Sequence, residues 1–278
     1  MTLYTQAIPL TFHPFVRLLK TPKGLLLALL TVTTLVALAN QPFDDAAPAV
    51  LIAMAVAALL DMGIIWVLRS EWEFPSGALL TGLIIGVILR PQEPMSVVVA
   101  VSVIAIVSKH VLRTRWSNMF NPAALALVVS SFLFSTGQSW WGSMPDFGLL
   151  GIIVMCATGL FIADRINKLP LVVGFLGAYF ALFTAASFLG KPVDVAEVFR
   201  TPDLQATLFF AFFMVDDPPT CPVRYEDQIP FGLIVAVASF VIFVVVGAIY
   251  FLPAGLLVAN GWESGRRQFG GTLRALLA

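Results

Sequence analysis

The sequence predicts an all-α, polytopic membrane protein with about ten transmembrane helices. Three observations predict this class: the composition, a succession of apolar segments, and an uneven distribution of lysine and arginine. Of the 278 residues, 59% are hydrophobic and only 12% are charged, whereas soluble domains carry about 25% charged residues. A charge at the bilayer centre costs at least ~2.5 kcal/mol, so lipid as the main solvent explains the deficit. The net charge of zero gives no indication of nucleic-acid binding.

The apolar segments define the helices, because about 20 apolar residues are needed to span the hydrocarbon layer. The third and eighth segments have only about 14 and 13 residues. Short segments flanked by proline and glycine are typical of broken helices that line a site at membrane depth. The expected helices cover residues 24–40, 46–68, 77–90, 95–112, 121–137, 147–163, 169–189, 204–216, 229–247 and 250–263.

Lysine and arginine determine the expected orientation, because cytoplasmic loops are enriched in both. With ten crossings and a cytoplasmic amino terminus, thirteen basic residues fall inside and three outside. Omitting either short segment would invert the later loops and remove this bias, which favours both as crossings. We therefore expect an inner (cytoplasmic) membrane protein with both termini in the cytoplasm. The inside residues are Arg17, Lys20, Lys23, Arg69, Lys109, Arg113, Arg115, Arg165, Lys168, Arg224, Arg266, Arg267 and Arg274, and the outside residues are Arg90, Lys191 and Arg200.

The chain is expected to form a cytoplasmic segment (1–23), one membrane domain (24–263) and a cytoplasmic tail (264–278). The first segment lacks the apolar core and small-residue cleavage site of a signal peptide. Tryptophans lie near the expected membrane interfaces, as an aromatic belt requires. They are Trp66, Trp72, Trp116 and Trp262 on the inner side, and Trp140 and Trp141 on the outer side.

Two short motifs recur at an offset of about 130 residues. The string F-x-P-A opens the fifth helix at Phe120 and the tenth at Phe251, and a P-x-x-P string follows both the third and the eighth helix. Five helices per repeat is an odd number, so the two repeats would be inverted relative to each other. Such a repeat predicts a functional site where the two broken helices meet near the midplane. The repeats cover residues 24–137 and 147–263.

Asn121 and Pro122 begin the fifth helix and allow two interpretations. Asn121 can cap the helix while Pro122 occupies the first helical position, where its missing N–H costs nothing. This explanation is structurally complete. Alternatively, the positive end of a buried helix faces an anionic or carbonyl-bearing ligand.

Asp216, Asp217 and Thr220 belong to the densest feature of the chain, the string Asp-Asp-Pro-Pro-Thr-Cys-Pro after the eighth helix. Prolines end the helix and leave its last carbonyl groups without partners, and acids are unfavourable at a helix C-terminus. The carboxylates and free carbonyls could therefore bind a cation or the N–H of a ring. A proline-rich turn wetted by cytosol is the alternative.

Asp61 lies inside the second helix, where an ionisable side chain suggests ion coupling or a pair with a neighbouring helix. Lys109 and His110 are expected to form an ordinary basic inner loop. His13 and His110 are the only histidines, which argues against a bis-histidine haem. Two cysteines cannot supply the four ligands of an iron–sulfur cluster, and no spacing of metal ligands is found.

Three sequence pieces resemble the family of membrane subunits that contains RnfD and NqrB, from the Rnf and sodium-pumping NADH:quinone reductase complexes. Members typically show F-N-P-A in the second piece and a T-D-P-x-T/S-x-P-like string in the third. The pieces are Ser76–Leu83 leading to Arg90-Pro91, Ser108–His110 with Asn118–Ala124, and Phe213–Pro222 followed by Phe231-Gly232.

The resemblance implies two inverted five-helix repeats like those of urea channels, and electron transfer with FMN or riboflavin coupled to Na⁺ or H⁺ movement. Members that bind FMN covalently use a threonine in an S/D-G-A-T string, and this chain has no Gly-Ala-Thr. Thr136 in the comparable outer loop is a poor substitute, and Arg113–Trp116 replaces the glycine pair usual before F-N-P-A. We therefore expect a shortened, divergent member with a non-covalent flavin or none.

The leading hypothesis is a membrane electron-transfer subunit that works with other redox subunits in the lipid bilayer and is not a complete enzyme alone. Asn121, Pro122 and Thr220 would contact the flavin, while Asp216 or Asp217 would bind its N–H groups. Asp61 and Asp217 are the candidates for ion coupling. A small-solute channel or transporter on the same scaffold, and an accessory membrane subunit without cofactor, are the alternatives.

Overall fold

The computed structural model describes residues 21–70, 72–114, 117–189 and 196–277. Within these ranges the chain forms ten α-helices and no β-strand, which confirms the predicted all-α class. The helices are α1 (Pro22–Ala37), α2 (Phe43–Arg69), α3 (Ser76–Ile88), α4 (Met95–Val111), α5 (Pro122–Leu133), α6 (Gly148–Arg165), α7 (Leu169–Leu189), α8 (Asp203–Phe213), α9 (Tyr225–Val246) and α10 (Phe251–Leu277).

Five segments of the described chain are long and apolar enough to cross a membrane, and they contain α1, α2, α6, α7 and α9. The shorter apolar helices are α3, α4, α5 and α8. The outer helices also expose large aliphatic side chains: on α2, Leu51, Leu59 and Val67 are 66%, 70% and 79% exposed. Water-soluble monomers avoid such extended apolar surface, so the fold is that of a membrane protein. Ten crossings remain a prediction.

Two of the short apolar helices, α3 and α8, form the centre of the molecule. In α3, ten of thirteen residues are buried, and in α8 nine of eleven are buried. A helix hydrophobic on all sides is stable only when protein surrounds it. These helices are therefore held by their neighbours, as the sequence predicted for broken segments.

The helices α3 and α8 run antiparallel. The first turn of α3 and the loop after α8 line the same cavity. At the other end, the Trp141 indole donates to the Gly86 carbonyl oxygen of α3 at 3.1 Å, and the Gln205 amide of α8 donates to the Met144 carbonyl oxygen at 3.2 Å. The end of α3 and the beginning of α8 thus meet the same connecting segment.

The helix pairs repeat between the two halves of the chain. In the first half α1 packs on α3, α2 on α4 and α4 on α5; in the second half α6 packs on α8, α7 on α9 and α9 on α10. The helices α5 and α10, which begin with the F-x-P-A strings, pack on each other.

Glycines allow the closest helix contacts. A Cβ atom on Gly82 of α3 would lie 2.5 Å from the Ala53 carbonyl oxygen of α2. A Cβ atom on Gly232 of α9 would lie 2.5 Å from the Leu171 carbonyl oxygen of α7. Both distances are far below van der Waals contact, so these helices approach backbone to backbone.

Three predicted helix boundaries differ from the observed ones by four residues or more. Helix α5 ends at Leu133, four residues before the expected 137. Helix α9 begins at Tyr225, four residues before the expected 229, because Pro230 is accommodated near the helix start. Helix α10 continues to Leu277 through the predicted tail. Ion pairs of Glu263 with Arg266 and Arg267, spaced three and four residues apart, support that extension.

The outer part of the predicted aromatic belt was also wrong. Trp140 and Trp141 are 7% and 2% exposed and pack inside the protein. Trp66, Trp72 and Trp262, which the sequence analysis assigned to the inner interface, are exposed, and Trp116 lies outside the described residues. Tryptophan spacing alone does not distinguish an interface residue from a core residue, because both are large and mostly apolar.

Candidate functional site

One cavity joins the segments that the sequence marked as functional. It has a volume of about 580 Å³ and is bounded by the first turns of α3 and α5, the end of α4, and the loop after α8. This volume is typical of small-molecule sites. Among the predicted site residues, Asp61, Asn121, Pro122 and Asp217 line it, whereas Asp216 and Thr220 do not. The strings on α5 and after α8 therefore converge, and α3 contributes its beginning rather than the Pro91–Pro94 end.

The beginning of α5 is a capped helix terminus. The Asn121 side-chain oxygen accepts from the Ala124 N–H at 3.0 Å, and Pro122 occupies the first turn. The Asn121 side chain also donates to the Met214 carbonyl oxygen at 3.5 Å. Capping, the structural interpretation of Asn121, is confirmed, and the residue faces the cavity as well.

Asn260 of α10 connects this terminus to the loop after α8. Its side-chain oxygen accepts from the Asn121 N–H at 2.9 Å, and its amide nitrogen donates to the Thr220 carbonyl oxygen at 3.2 Å. Asn260 is fully buried. The sequence analysis missed it, although an amide within the apolar run Leu257–Ala259 was an available signal.

Asp217 is the carboxylate of the loop that faces the cavity. Its Oδ2 atom accepts from the Thr220 hydroxyl at 3.1 Å, so Thr220 acts on the cavity through Asp217. Burial raises the pKa of the Asp217 carboxyl to about 6, while Lys23, the Thr220 hydroxyl and Lys109 lower it by less. A carboxyl with this pKa can exchange a proton near neutral pH.

Asp216 lies behind the cavity wall. Its side chain is completely buried, and neither carboxylate oxygen has a hydrogen-bond partner within the described residues. A buried carboxyl without donors is expected to be protonated.

Asp61 binds two basic side chains of α4. The Lys109 ammonium donates to both Asp61 oxygens at 2.8 Å, and the His110 ring nitrogen Nε2 lies 2.7 Å from Asp61 Oδ1. The Asp61 side chain is only 3% exposed. The expected pairing with a neighbouring helix is therefore observed, whereas the assignment of Lys109 and His110 to an ordinary loop was wrong.

Arg267 of α10 forms hydrogen bonds with two loops that contribute to the cavity wall. Its guanidinium donates to the Ser117 hydroxyl at 2.7 Å and to the carbonyl oxygens of Pro219 and Cys221 at 3.3 and 2.6 Å. Ser117 and Pro219 both line the cavity. Glu263, which is 2% exposed, orients Arg267 with an ion pair of 2.7 Å. One cation thus fixes two loops that are distant in sequence.

The fold and the cavity define a class: a multi-helix membrane protein with a polar small-molecule cavity at the ends of two broken helices. The model of the NQR2, RnfD, RnfE family matches residues 13–149, which include most of the cavity wall. This match supports an RnfD/NqrB-like membrane subunit, as the motifs of the chain predicted. A search of curated proteins finds no significant match.

Proposed function

We propose that the protein is the flavin-holding subunit of an Rnf- or Nqr-type electron-transport complex. The observation that carries the proposal is the convergence of Asn121, Pro122 and Asp217 on one cavity of about 580 Å³. These residues belong to the F-N-P-A string and to the Asp-Asp-Pro-Pro string, which lie about 95 residues apart in the chain.

The charges of the cavity suit a flavin ring. Asp217 presents a carboxylate that can accept from a ring N–H, and Lys23 and Lys109 provide positive charge on the same cavity. Nearby charges and hydrogen bonds to the ring nitrogens set the reduction potential of a bound flavin. FMN or riboflavin would be held non-covalently, because the chain has no Gly-Ala-Thr string.

Ion coupling in this proposal depends on Asp217 more than on Asp61. Asp61 is already neutralised by Lys109 and in hydrogen-bond contact with His110, so its release would leave the Lys109 ammonium without a counter-ion. Asp217 forms no ion pair within the described residues. It is therefore the carboxylate that can take up Na⁺ or H⁺ when an electron arrives.

Two inverted five-helix repeats are part of the proposal. The antiparallel arrangement of α3 and α8 and the matching helix pairs of the two halves support them. Inverted repeats place the ligand between their broken helices, which agrees with a cavity bounded by α3, α5 and the end of α8. We propose ten crossings of the inner membrane, cytoplasmic termini, and other redox subunits as partners.

Purified full-length protein tests the proposal. We expect the visible absorption of an oxidised flavin, at about one flavin per chain, to survive detergent washing. Substituting Asp217→Asn is expected to abolish electron transfer in the reconstituted complex while leaving membrane insertion intact. Asp146→Asn makes the same chemical change on the exposed surface near the opposite end of α8 and should retain activity.

Other outcomes would assign the alternatives. A colourless protein that conducts a small solute into liposomes would make the chain a channel or transporter on this scaffold. A colourless protein without flux would make it an accessory subunit. Unchanged electron transfer in Asp217→Asn would remove Asp217 from the site.

A further inference from the structure

The cavity wall beside Gly77 carries ammonium groups from two different helices. The Nζ atoms of Lys23, on α1, and Lys109, on α4, each lie 4.0 Å from the position that a Cβ atom would take on Gly77. The two cations are therefore at most about 8 Å apart, and they repel each other in a partly enclosed space. An anion bound between them would remove this repulsion.

The cations on the cavity wall outnumber the carboxylates that pair with them. Asp61 neutralises Lys109. The other three basic side chains of the wall, apart from His110, form no ion pair with any carboxylate of the described residues. They are Lys23, Arg69 and Arg113.

The acidic side chains do not cancel this charge. Besides Asp61, the wall carries Glu73 and Asp217, so three uncompensated cations face two uncompensated carboxylates. His110 shares Asp61 with Lys109 and adds positive charge when protonated. Asp217 accepts from the Thr220 hydroxyl and forms no ion pair with Lys23 or Lys109 among the described residues, although both ammonium groups act on its carboxyl electrostatically. The cavity wall as a whole therefore keeps a net positive charge.

The backbone at Gly77 is open to a ligand. No side chain caps the first turn of α3, and glycine places no side chain between the two ammonium groups. Backbone N–H groups in a first helical turn add donors for an anion that the lysines already attract.

We propose that this end of the cavity, bounded by Lys23, Lys109 and Gly77, binds the phosphate group of a phosphomonoester. A dianion with three terminal oxygens can contact both ammonium groups and the helix backbone at once. The remainder of the cavity has room for a planar ring system beyond the phosphate. Where the phosphomonoester is FMN, the inference rests on the proposed function and specifies FMN rather than riboflavin.

Binding of FMN and riboflavin to the apoprotein, followed by flavin fluorescence, tests this inference. We expect FMN to bind at least about tenfold more tightly than riboflavin, because a charged hydrogen bond contributes about that factor. Lys23→Gln should reduce FMN affinity by about tenfold and leave riboflavin affinity unchanged. Arg200→Gln is the matched control, since it removes one exposed cation near the start of α8, away from the cavity, and should change neither affinity.

Thermal stabilisation by other phosphates identifies the source and separates the two proposals. Inorganic phosphate or a short-chain phosphatidic acid should raise the unfolding temperature of the wild type, but not of Lys23→Gln, above that in chloride of equal ionic strength. Stabilisation by either compound without binding of any flavin would support the phosphate site and refute the proposed function. Equal affinity for FMN and riboflavin, or loss of both affinities in Lys23→Gln, would overturn the phosphate site.

Discussion

Glu263 is the residue whose loss should most affect the cavity without touching it. It is 2% exposed and pairs with both Arg266 and Arg267, at 2.9 and 2.7 Å. The substitution Glu263→Gln keeps the shape of the side chain and removes its charge. Arg267 would then lose the group that orients it towards the Ser117 hydroxyl and the Cys221 carbonyl oxygen.

The magnitude follows from burial. Removing one partner of a fully buried ion pair costs about 3–5 kcal/mol, whereas an exposed pair contributes about 0–1 kcal/mol. The Arg266 and Arg267 side chains are 35% and 24% exposed, so water partly solvates them once Glu263 is neutral. We expect a loss of about 2–3 kcal/mol and a fall in unfolding temperature of roughly 5–8 °C.

Thermal unfolding and thiol labelling measure the two consequences. Cys221 is completely buried, and Arg267 holds its carbonyl oxygen; in a Cys156→Ser background, Glu263→Gln should therefore speed maleimide labelling of Cys221. Glu226→Gln is the control, because Glu226 is 73% exposed and pairs with Arg224 at 3.2 Å. Unchanged unfolding temperature and labelling in Glu263→Gln would refute the role assigned to Arg267.

Three further predictions concern stability. The pKa of the Asp217 carboxyl, about 6 in the folded chain, lies above its ordinary value of 3.8. The folded chain therefore binds the proton more tightly than the unfolded chain, and wild-type stability should fall by up to about 3 kcal/mol as the pH rises from 4 to above 6. The Asp217→Asn variant should lack this fall. Parallel profiles of unfolding temperature against pH for the wild type and the variant would contradict the prediction. Asn260→Ala leaves the Asn121 N–H and the Thr220 carbonyl oxygen unpaired and should cost about 2 kcal/mol. The neighbouring substitution Gly261→Ala, whose Cβ would meet only a Phe120 ring carbon at 3.8 Å, should be tolerated. Equal unfolding temperatures of Asn260→Ala and Gly261→Ala would disprove the role of Asn260 in joining the two segments. Gly82→Ala places a Cβ 2.5 Å from the Ala53 carbonyl oxygen and should cost about 1–3 kcal/mol, whereas Gly63→Ala, with nothing within 4 Å, should be neutral or stabilising by up to about 1 kcal/mol.

The sequence predicted features that depend on local rules. Apolar segments gave ten helices, and the Asn-Pro pair gave the cap of α5, because helix formation and capping involve residues only a few positions apart. Asp217 was found because acids and prolines after a short helix leave groups without local partners. The predicted burial of α3 and α8 followed from their length alone.

The features that the sequence did not reveal depend on distant residues. Asn260 pairs with Asn121 across 139 positions, and Arg267 pairs with Ser117 across 150. Neither contact leaves a periodic pattern in the chain. The placement of Asp216 behind the wall while Asp217 faces the cavity is likewise set by the turn geometry after α8, which composition does not specify. Such contacts require the packed fold.

The burial of α3 and α8 also makes the geometry of the cavity largely independent of the thickness of the bilayer. Helices that touch lipid respond to a thicker or thinner membrane by tilting. Because α3 and α8 contact protein on nearly all sides, the surrounding helices take up such adjustments first. The distance between the start of α3 and the loop after α8 is therefore set by protein packing, and it should hold constant in membranes of different lipid composition.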